Sequence, residues 1–461
     1  MLTQKRSTLW LSLVLIFTLS LSACGGGPGQ KPAANAPSGA NTPPEQPSSA
    51  ASDFPTALSG PVEITFWHAM TGDHEKTLNE IADRFMKEHA DIRIKLVGQG
   101  NYGDLQDKLL AAAKSKTLPV LSQVIETWVT DYIQNGLVAD LNPYIEHPEI
   151  GWTKDELNDI ADVFREANQW DDRFYSLPFS KSTQLLFYNT DYFKERGVEV
   201  PKTWEELRQA AEKLTFDRNG KHVVGMGFEN SVGWQFHMWV RQAGGTYIDE
   251  RTGKVEFNSP EGKDALTFLQ GLFKDKIARL AGEDQYMSNP FGRGDVAMYI
   301  GSSAGIPFVA KAAEGNIRWS VAAVPAGKEA AVPFAGNAVA VFDSAGPEEK
   351  LAAWMFIKYL LNTENTALWA KATGYLPIRR SALESPIWKD YVKEHPESGV
   401  GTAQFDAGFF DPRIAGYDAA LKDIQSEIEA VLLGKASVDD GLSAAAQKAQ
   451  ADIDRAKSRA K

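Results

Sequence analysis

Four features of this chain could do chemistry on a small solute. Arg413 carries a flat fork of N–H donors that matches two oxygens of a phosphate monoester. Ser302 and Ser303 stand where an apolar run, Val296 to Ile300, turns toward a helix. Their hydroxyls, with the free N–H groups of a helix start, make a natural anion site. Glu126 ends another apolar run, where burial without a partner is costly. When ionised it only accepts hydrogen bonds, so it suits hydroxyls and repels phosphate. Gly336 has no Cβ and lets a solute approach the backbone. Together Glu126 and Arg413 would orient a polyol phosphate head to tail. Each also has a plainer alternative: Arg413 as a surface ion pair, Ser302 as an N-cap needing no ligand, Gly336 as relief in a tight strand.

Other chemistries are not signalled. There is no Gly-x-x-x-x-Gly-Lys-Ser/Thr loop, no Gly-x-Ser-x-Gly elbow and no His-Glu-x-x-His pair. His68 and His74, near Asp73 and Glu75, are six apart, whereas paired helical ligands sit three or four apart. A polar helix entry is the better reading, and no metal or cofactor is expected. The 461 residues carry 48 Lys+Arg against 60 Asp+Glu, a net charge of -12 that argues against a nucleic-acid partner. With 43% hydrophobic and 23% charged residues the composition is globular, which excludes a disordered or multi-span membrane chain. The single Cys, Cys24, can form no internal disulfide.

The elements that must position these residues begin after an address. Residues 1–23 read as an export signal, with Lys5 and Arg6 before the apolar stretch Leu9 to Leu21. It ends in Leu21-Ser22-Ala23-Cys24, which resembles a bacterial lipobox, so Cys24 is the expected lipidation site. A plain secretory signal with an incidental Cys is the alternative. Residues 24–60 are rich in Gly, Pro, Ala and Ser and read as a disordered tether. The body then alternates. Val62 to Trp67, Ile92 to Val97 and Val120 to Ile125 read as strands, and residues 74–89 and 103–115 as helices. This βαβαβ order implies an α/β fold, a mostly parallel sheet covered by helices. The polar residues Ser180 to Gln184 break two apolar runs and read as a crossover between lobes. Thr203-Trp204-Glu205-Glu206 has the form of a capping box. Leu421, Ile424, Ile428, Val431 and Leu432 form the stripe of a late helix, with Gly434 as its stop.

Several segments in order carry a family likeness: Thr65-Phe66-Trp67-His68-Ala69-Met70, Gly100-Asn101-Tyr102, Gln123-Val124-Ile125-Glu126 and Pro178-Phe179-Ser180-Lys181-Ser182-Thr183. They continue with Gly294-Asp295-Val296-Ala297-Met298, Ser302-Ser303, Thr373-Gly374-Tyr375-Leu376-Pro377-Ile378 and Arg413. With these, the chain resembles the family 1 extracellular solute-binding proteins of ABC importers, and among them the glycerol-3-phosphate-binding group, over about residues 61–455. The resemblance implies a two-lobed periplasmic-binding-protein fold of type II, a Venus flytrap with hinge crossovers. Lobe 1 would take 61–179 and 324–370, and lobe 2 would take 180–323 and 371–461. The family's ligand contacts fall on Tyr102, Glu126, Ser182, Ser302, Ser303, Gly336, Tyr375 and Arg413. Tyr102, Glu126 and Gly336 would come from lobe 1, the Ser302-Ser303 pair, Tyr375 and Arg413 from lobe 2, and Ser182 from the crossover. Tyr375 could equally pack under its preceding helix. Some members carry Gly-Trp-x-x-Trp where this chain has Asn230-Ser231-Val232-Gly233-Trp234, so Trp234 alone would wall the glycerol carbons, which leaves room for a diester. Trp67 and Trp128 fit either the cleft or the core.

The resemblance implies a receptor and not an enzyme, a monomeric binding protein, and the lipobox-like segment at Cys24 would anchor it by lipid to the outer face of the cell membrane or in a periplasm. It would capture glycerol 3-phosphate or a glycerophosphodiester and pass it to an ABC permease, while separate subunits spend ATP. Three alternatives remain at this point: an oligosaccharide receptor of the same family, an exported phosphatase or phosphodiesterase, and a purely structural lipoprotein.

Overall fold

The computed structural model describes residues 55–459. The expected export signal, Cys24 and all but the end of the expected tether lie outside them. At that end Leu58 packs against the core and the Ser59 N–H donates to Glu348. Among the described residues no helix is long and apolar enough to cross a membrane.

Nine main strands build the sheet: β1 (Val62–His68), β2 (Ile92–Gly98), β3 (Leu121–Val124), β4 (Leu177–Asn189), β5 (Lys221–Phe228), β6 (Ala278–Leu280), β7 (Val296–Ser302), β8 (Trp319–Ala322) and β9 (Val332–Val341). Their order is β6-β5-β7-β4-β9-β3-β1-β2, and β8 also pairs with β4. Pairing is parallel at both ends, β1 with β2 and β3, and β5 with β6 and β7. It is antiparallel where β4 and β9 join the halves. This is the two-lobed α/β arrangement that the resemblance implies.

Periodicity explains the layers. In α1 (Gly72–Glu88) Leu78, Ile81, Ala82 and Phe85 recur at helical spacing and are buried against the sheet. In α2 (Tyr102–Ser115) Leu105, Leu109 and Ala112 do the same, and Asn101 and Asp104 close a capping box at its start. Further helices that bear on the site are α3 (Glu126–Gln134), α4 (Val232–Gln242), α5 (Tyr417–Leu432) and α6 (Val438–Arg459). One core gathers Ile64, Phe66, Phe85, Trp354 and Ile357 beside β1 to β3. A second gathers Leu186, Phe228, Trp239, Leu266 and Ile424 on the other side. Tyr375, Leu376 and Ile378 pack into the first core, whereas the sequence reading assigned everything after 370 to the second lobe.

The polar run 180–184 is no break in secondary structure. It is the middle of β4, a single 13-residue strand running through both halves. Ser180, Lys181, Ser182, Thr183 and Gln184 are all buried. The polarity marks groups that meet partners inside the molecule. At the helix Trp204–Lys213 the expected capping box is half made. Thr203 Oγ1 accepts from the Glu206 N–H at 3.2 Å, but Glu206 reaches back to the N–H of Lys202.

Candidate functional site

A cavity of about 870 Å³ lies between the two cores, over the joining strands. Seven of the nine expected contact residues line it: Tyr102, Glu126, Ser182, Trp234, Ser302, Gly336 and Tyr375. Local structure explains their placement. Tyr102 and Glu126 are the first residues of α2 and α3. Ser182 and Gly336 lie on the adjoining strands β4 and β9. Ser302 closes β7, and Trp234 lies in the first turn of α4.

Their interactions differ from expectation in four places. Glu126 is not waiting for a hydroxyl: its carboxylate is ion-paired with the ammonium of Lys181, which is fully buried. Asn168 adds a longer contact at 3.4 Å. Burial pushes the Lys181 amine below its ordinary value, and Glu126 pulls it back up. Arg413 does not face Glu126 and is not on the cavity wall. Its guanidinium donates to the backbone carbonyls of Glu166, at 2.9 Å, and Gln169, and it lies over the Trp170 ring. Glu166 ends a short helix and Gln169 opens a two-residue hairpin strand, and their carbonyls hold the donors that a phosphate would need. Ser303 is turned inward, its hydroxyl accepting from the Thr183 N–H at 3.3 Å, while Ser302 caps the turn by accepting from Ala304. Gly336 lines the cavity, but its φ of 112° and the adjacent carbonyl of Ser180 are what exclude a side chain.

The two tyrosines form one unit. The Tyr102 hydroxyl accepts from Asn337 Nδ2 at 2.7 Å and lies 3.4 Å from the Tyr375 hydroxyl. Tyr375 is stacked on Trp369, with ring centroids 6.3 Å apart. Trp234 donates through Nε1 to Asp411 at 2.9 Å, so its ring is held in place.

The wall also contains residues that the sequence reading left out. Asp411, Asp418 and Glu229 join Glu126 there, and Lys422 is the one cationic residue among the described residues lining it. Burial raises the Asp411 carboxyl to about 6 and the Glu229 carboxyl to about 7. Burial likewise raises that of Asp418. Asp418, at the start of α5, accepts from Gln106 of α2 and Thr127 of α3, both at 2.8 Å, which ties the two lobes. Gln235 donates to Gln184 at 3.0 Å, and its own Oε1 is buried with no protein partner. Trp128, Phe410 and Tyr286 add aromatic surface. The sequence signals for these were weak. Asp411 stands two residues before Arg413, Lys181 lies within Pro178-Phe179-Ser180-Lys181-Ser182-Thr183, and of these aromatic residues only Trp128 carries a cleft expectation.

The arrangement is a deep cleft of aromatic rings and hydrogen-bonding groups with an acidic lining. A model of the family described as bacterial extracellular solute-binding protein matches residues 80–396. The chain belongs to the bacterial extracellular solute-binding proteins. Among curated relatives, the sn-glycerol-3-phosphate-binding periplasmic protein UgpB of Pectobacterium atrosepticum is 26% identical over 416 residues, 84% of this chain and 90% of the relative. Among solved structures, the cyclic alpha-maltosyl-1,6-maltose binding protein of Arthrobacter globiformis aligns with a TM-score of 0.74 at 28% identity, covering 86% of this chain and all of that one. UgpB of Mycobacterium tuberculosis, solved with glycerophosphocholine, aligns with a TM-score of 0.74 at 23% identity over 86% and 99% of the two chains. As a member of this family the chain is a solute-binding protein, and its relatives are binding proteins too.

Proposed function

We infer that this chain is the receptor of an ABC importer for a neutral, hydroxyl-rich solute, an oligosaccharide, which it captures between its lobes and hands to a membrane permease. The observation that carries this reading is the charge and ring content of the cavity wall. Glu126, Glu229, Asp411 and Asp418 line it with Lys422, Glu126 being balanced by the buried Lys181 behind it, and Trp128, Trp234, Tyr286, Tyr375 and Phe410 give flat apolar surface. Sugars offer many O–H donors and apolar ring faces, and carboxylates, amides and aromatic rings match both. The free acceptor of Gln235 suits a hydroxyl donor. A phosphate monoester fits this wall poorly. At an effective dielectric of 20, a like charge about 6 Å from an ionised carboxylate costs roughly 3 kcal/mol, a penalty that falls mainly on Asp411 and Asp418, since Lys181 balances Glu126 and burial raises the Glu229 carboxyl to about 7. The guanidinium that would offset this is held at Glu166 and Gln169.

In this reading no bond is made or broken. Solute touching both lobes stabilises the closed form, because only that form offers all its contacts. Asp418, already bonded across the cleft, would belong to the closing contacts.

A second reading is favoured by the glycerol-3-phosphate-binding relatives. A glycerophosphodiester with a cationic headgroup would place one negative charge near Lys422 and its ammonium among the rings and carboxylates. Isothermal titration of the protein with gluco-, galacto-, manno- and xylo-oligosaccharides, glycerol 3-phosphate and glycerophosphocholine separates these. Heat from an oligosaccharide alone is the expected result. Binding of glycerol 3-phosphate without any saccharide would overturn the proposal, and binding of glycerophosphocholine alone would establish the second reading.

A further inference from the structure

Asp418 joins the two sides of the cleft, and it does so facing another acid. It lies in the first turn of α5, whose Ile424 and Ile428 belong to the core around Leu186 and Trp239. Its two oxygens accept from Gln106 of α2 and Thr127 of α3. The apolar faces of those helices, with Leu105, Leu109, Trp128 and Val129, pack in a separate core. Asp131 follows Thr127 on α3 by four positions, so the two share a face of the helix. The Gly416 N–H, just before α5, reaches the Asp131 carboxylate, and Asp418 is the charge that bears on it most. The contacts that join the two sides therefore bring together two carboxylates, one from each side.

The surroundings do not neutralise the pair. It meets Gln106 from α2, Thr127 and Tyr132 from α3, Asp411 from the loop before α5, and Lys422 from α5. Gln106 and Thr127 are neutral donors, and both serve Asp418. The Tyr132 hydroxyl is buried with no protein partner, and burial together with the two carboxylates keeps it from ionising. Asp411 pushes on Asp418 more than Lys422 relieves it. Arg413, in the same loop, is committed to the carbonyls of Glu166 and Gln169. The two acids are not equivalent. Asp418 stands at a helix start, which favours an anion, whereas Asp131 stands in the last turn of α3, which disfavours one. Burial and then Asp418 raise the Asp131 carboxyl to about 6.

We propose that closure of the lobes is coupled to proton uptake: Asp131 and Asp418 face each other only when the two sides meet, and Asp131 takes a proton as they do, so mild acid favours the closed form. When the sides part, both acids face water and titrate as ordinary carboxyls. The closed form then gains on the open one as pH falls below about 6, and the gain is complete once the open form is protonated too, below about pH 4. This coupling does not depend on which solute fills the cavity.

The test needs no solute. Leu110 of α2 and Leu433 at the end of α5 are both exposed. The chain carrying Cys24→Ser, Leu110→Cys and Leu433→Cys is labelled with pH-insensitive donor and acceptor dyes, and energy transfer reports the distance between the two sides. From pH 7.5 to pH 5 the closed-to-open ratio should rise about tenfold. Asp131→Asn has the shape of the neutral acid at every pH and should show the pH 5 transfer throughout. Asp418→Asn relieves the repulsion from the other side and should reduce the response. Transfer that stays constant with pH in the labelled chain with Asp131 intact would overturn the proposal. So would a response that survives Asp131→Asn undiminished, because another titrating group would then be its source.

Discussion

Replacing Lys181 by Met tests how the joining strand is held together. Met keeps the length of the side chain and removes the ammonium, which leaves the buried carboxylate of Glu126 without its cation. Asn168, at 3.4 Å, offers only a weak substitute. Breaking a buried ion pair by deleting one partner costs about 3–5 kcal/mol, most of it the uncompensated charge that remains. With roughly 400 described residues and an unfolding entropy of about 2.1 cal/mol/K per residue, that loss lowers Tm by about 4–6 °C if the body melts as one unit. A double-mutant cycle isolates the pair. Glu126→Gln removes the charge from the other side, and Lys181→Met with Glu126→Gln should lose at least about 2 kcal/mol less than the two single losses added together. The assay is urea unfolding of the four proteins without solute, followed by Trp fluorescence and by circular dichroism. A single variant as stable as wild type, or strict additivity in the cycle, would refute the claim that this pair is coupled and uncompensated when split.

Gly336→Ala should lower stability by about 2–4 kcal/mol in the same assay, because a Cβ at φ 112° meets the Ser180 carbonyl; an unchanged Tm would show that the joining strands can shift apart. Arg413→Ala should change oligosaccharide affinity by less than about threefold, since its donors serve the Glu166 and Gln169 carbonyls; a drop of about 2–5 kcal/mol for a phosphate ester would return Arg413 to the site. Glu229 has a carboxyl raised by burial to about 7, so the folded state holds its proton more tightly than the unfolded state. Its contribution to stability is therefore full below about pH 4.5 and is lost as pH rises to about 7. Tm measured from pH 4.5 to 7.5 should fall more steeply for wild type than for Glu229→Gln, and parallel curves would contradict this.

Local rules settle much of the architecture. The spacing of Leu78, Ile81, Ala82 and Phe85 is enough to make a helix with one buried face, and the alternation in Ile92 to Val97 is enough to make a strand, because both periods are properties of a few neighbouring residues. The polar stretch 180–184 misleads for the same reason. A strand is read from apolar alternation, but here buried polar groups are satisfied by partners far away in the chain, such as Trp369 for Ser180 and Ser303 for Thr183.

The site divides along the same line. Residue type and order in the sequence were sufficient to name seven residues that line one cavity, and to name the family. What each of them does there depended on contacts the sequence does not list. Lys181 meets Glu126 across 55 positions, and Asp418 meets Gln106 across 312. Ser303 turns into the strand, and Arg413 is claimed by two carbonyls, which carry no side-chain signature at all. The sequence alone determined the layered α/β body, which follows from local periodicity, and through the motifs that carry the family likeness it pointed to seven positions that line the cavity. Only the tertiary structure decided the charge balance of the cleft, because a buried charge takes its meaning from whichever distant group folding brings beside it.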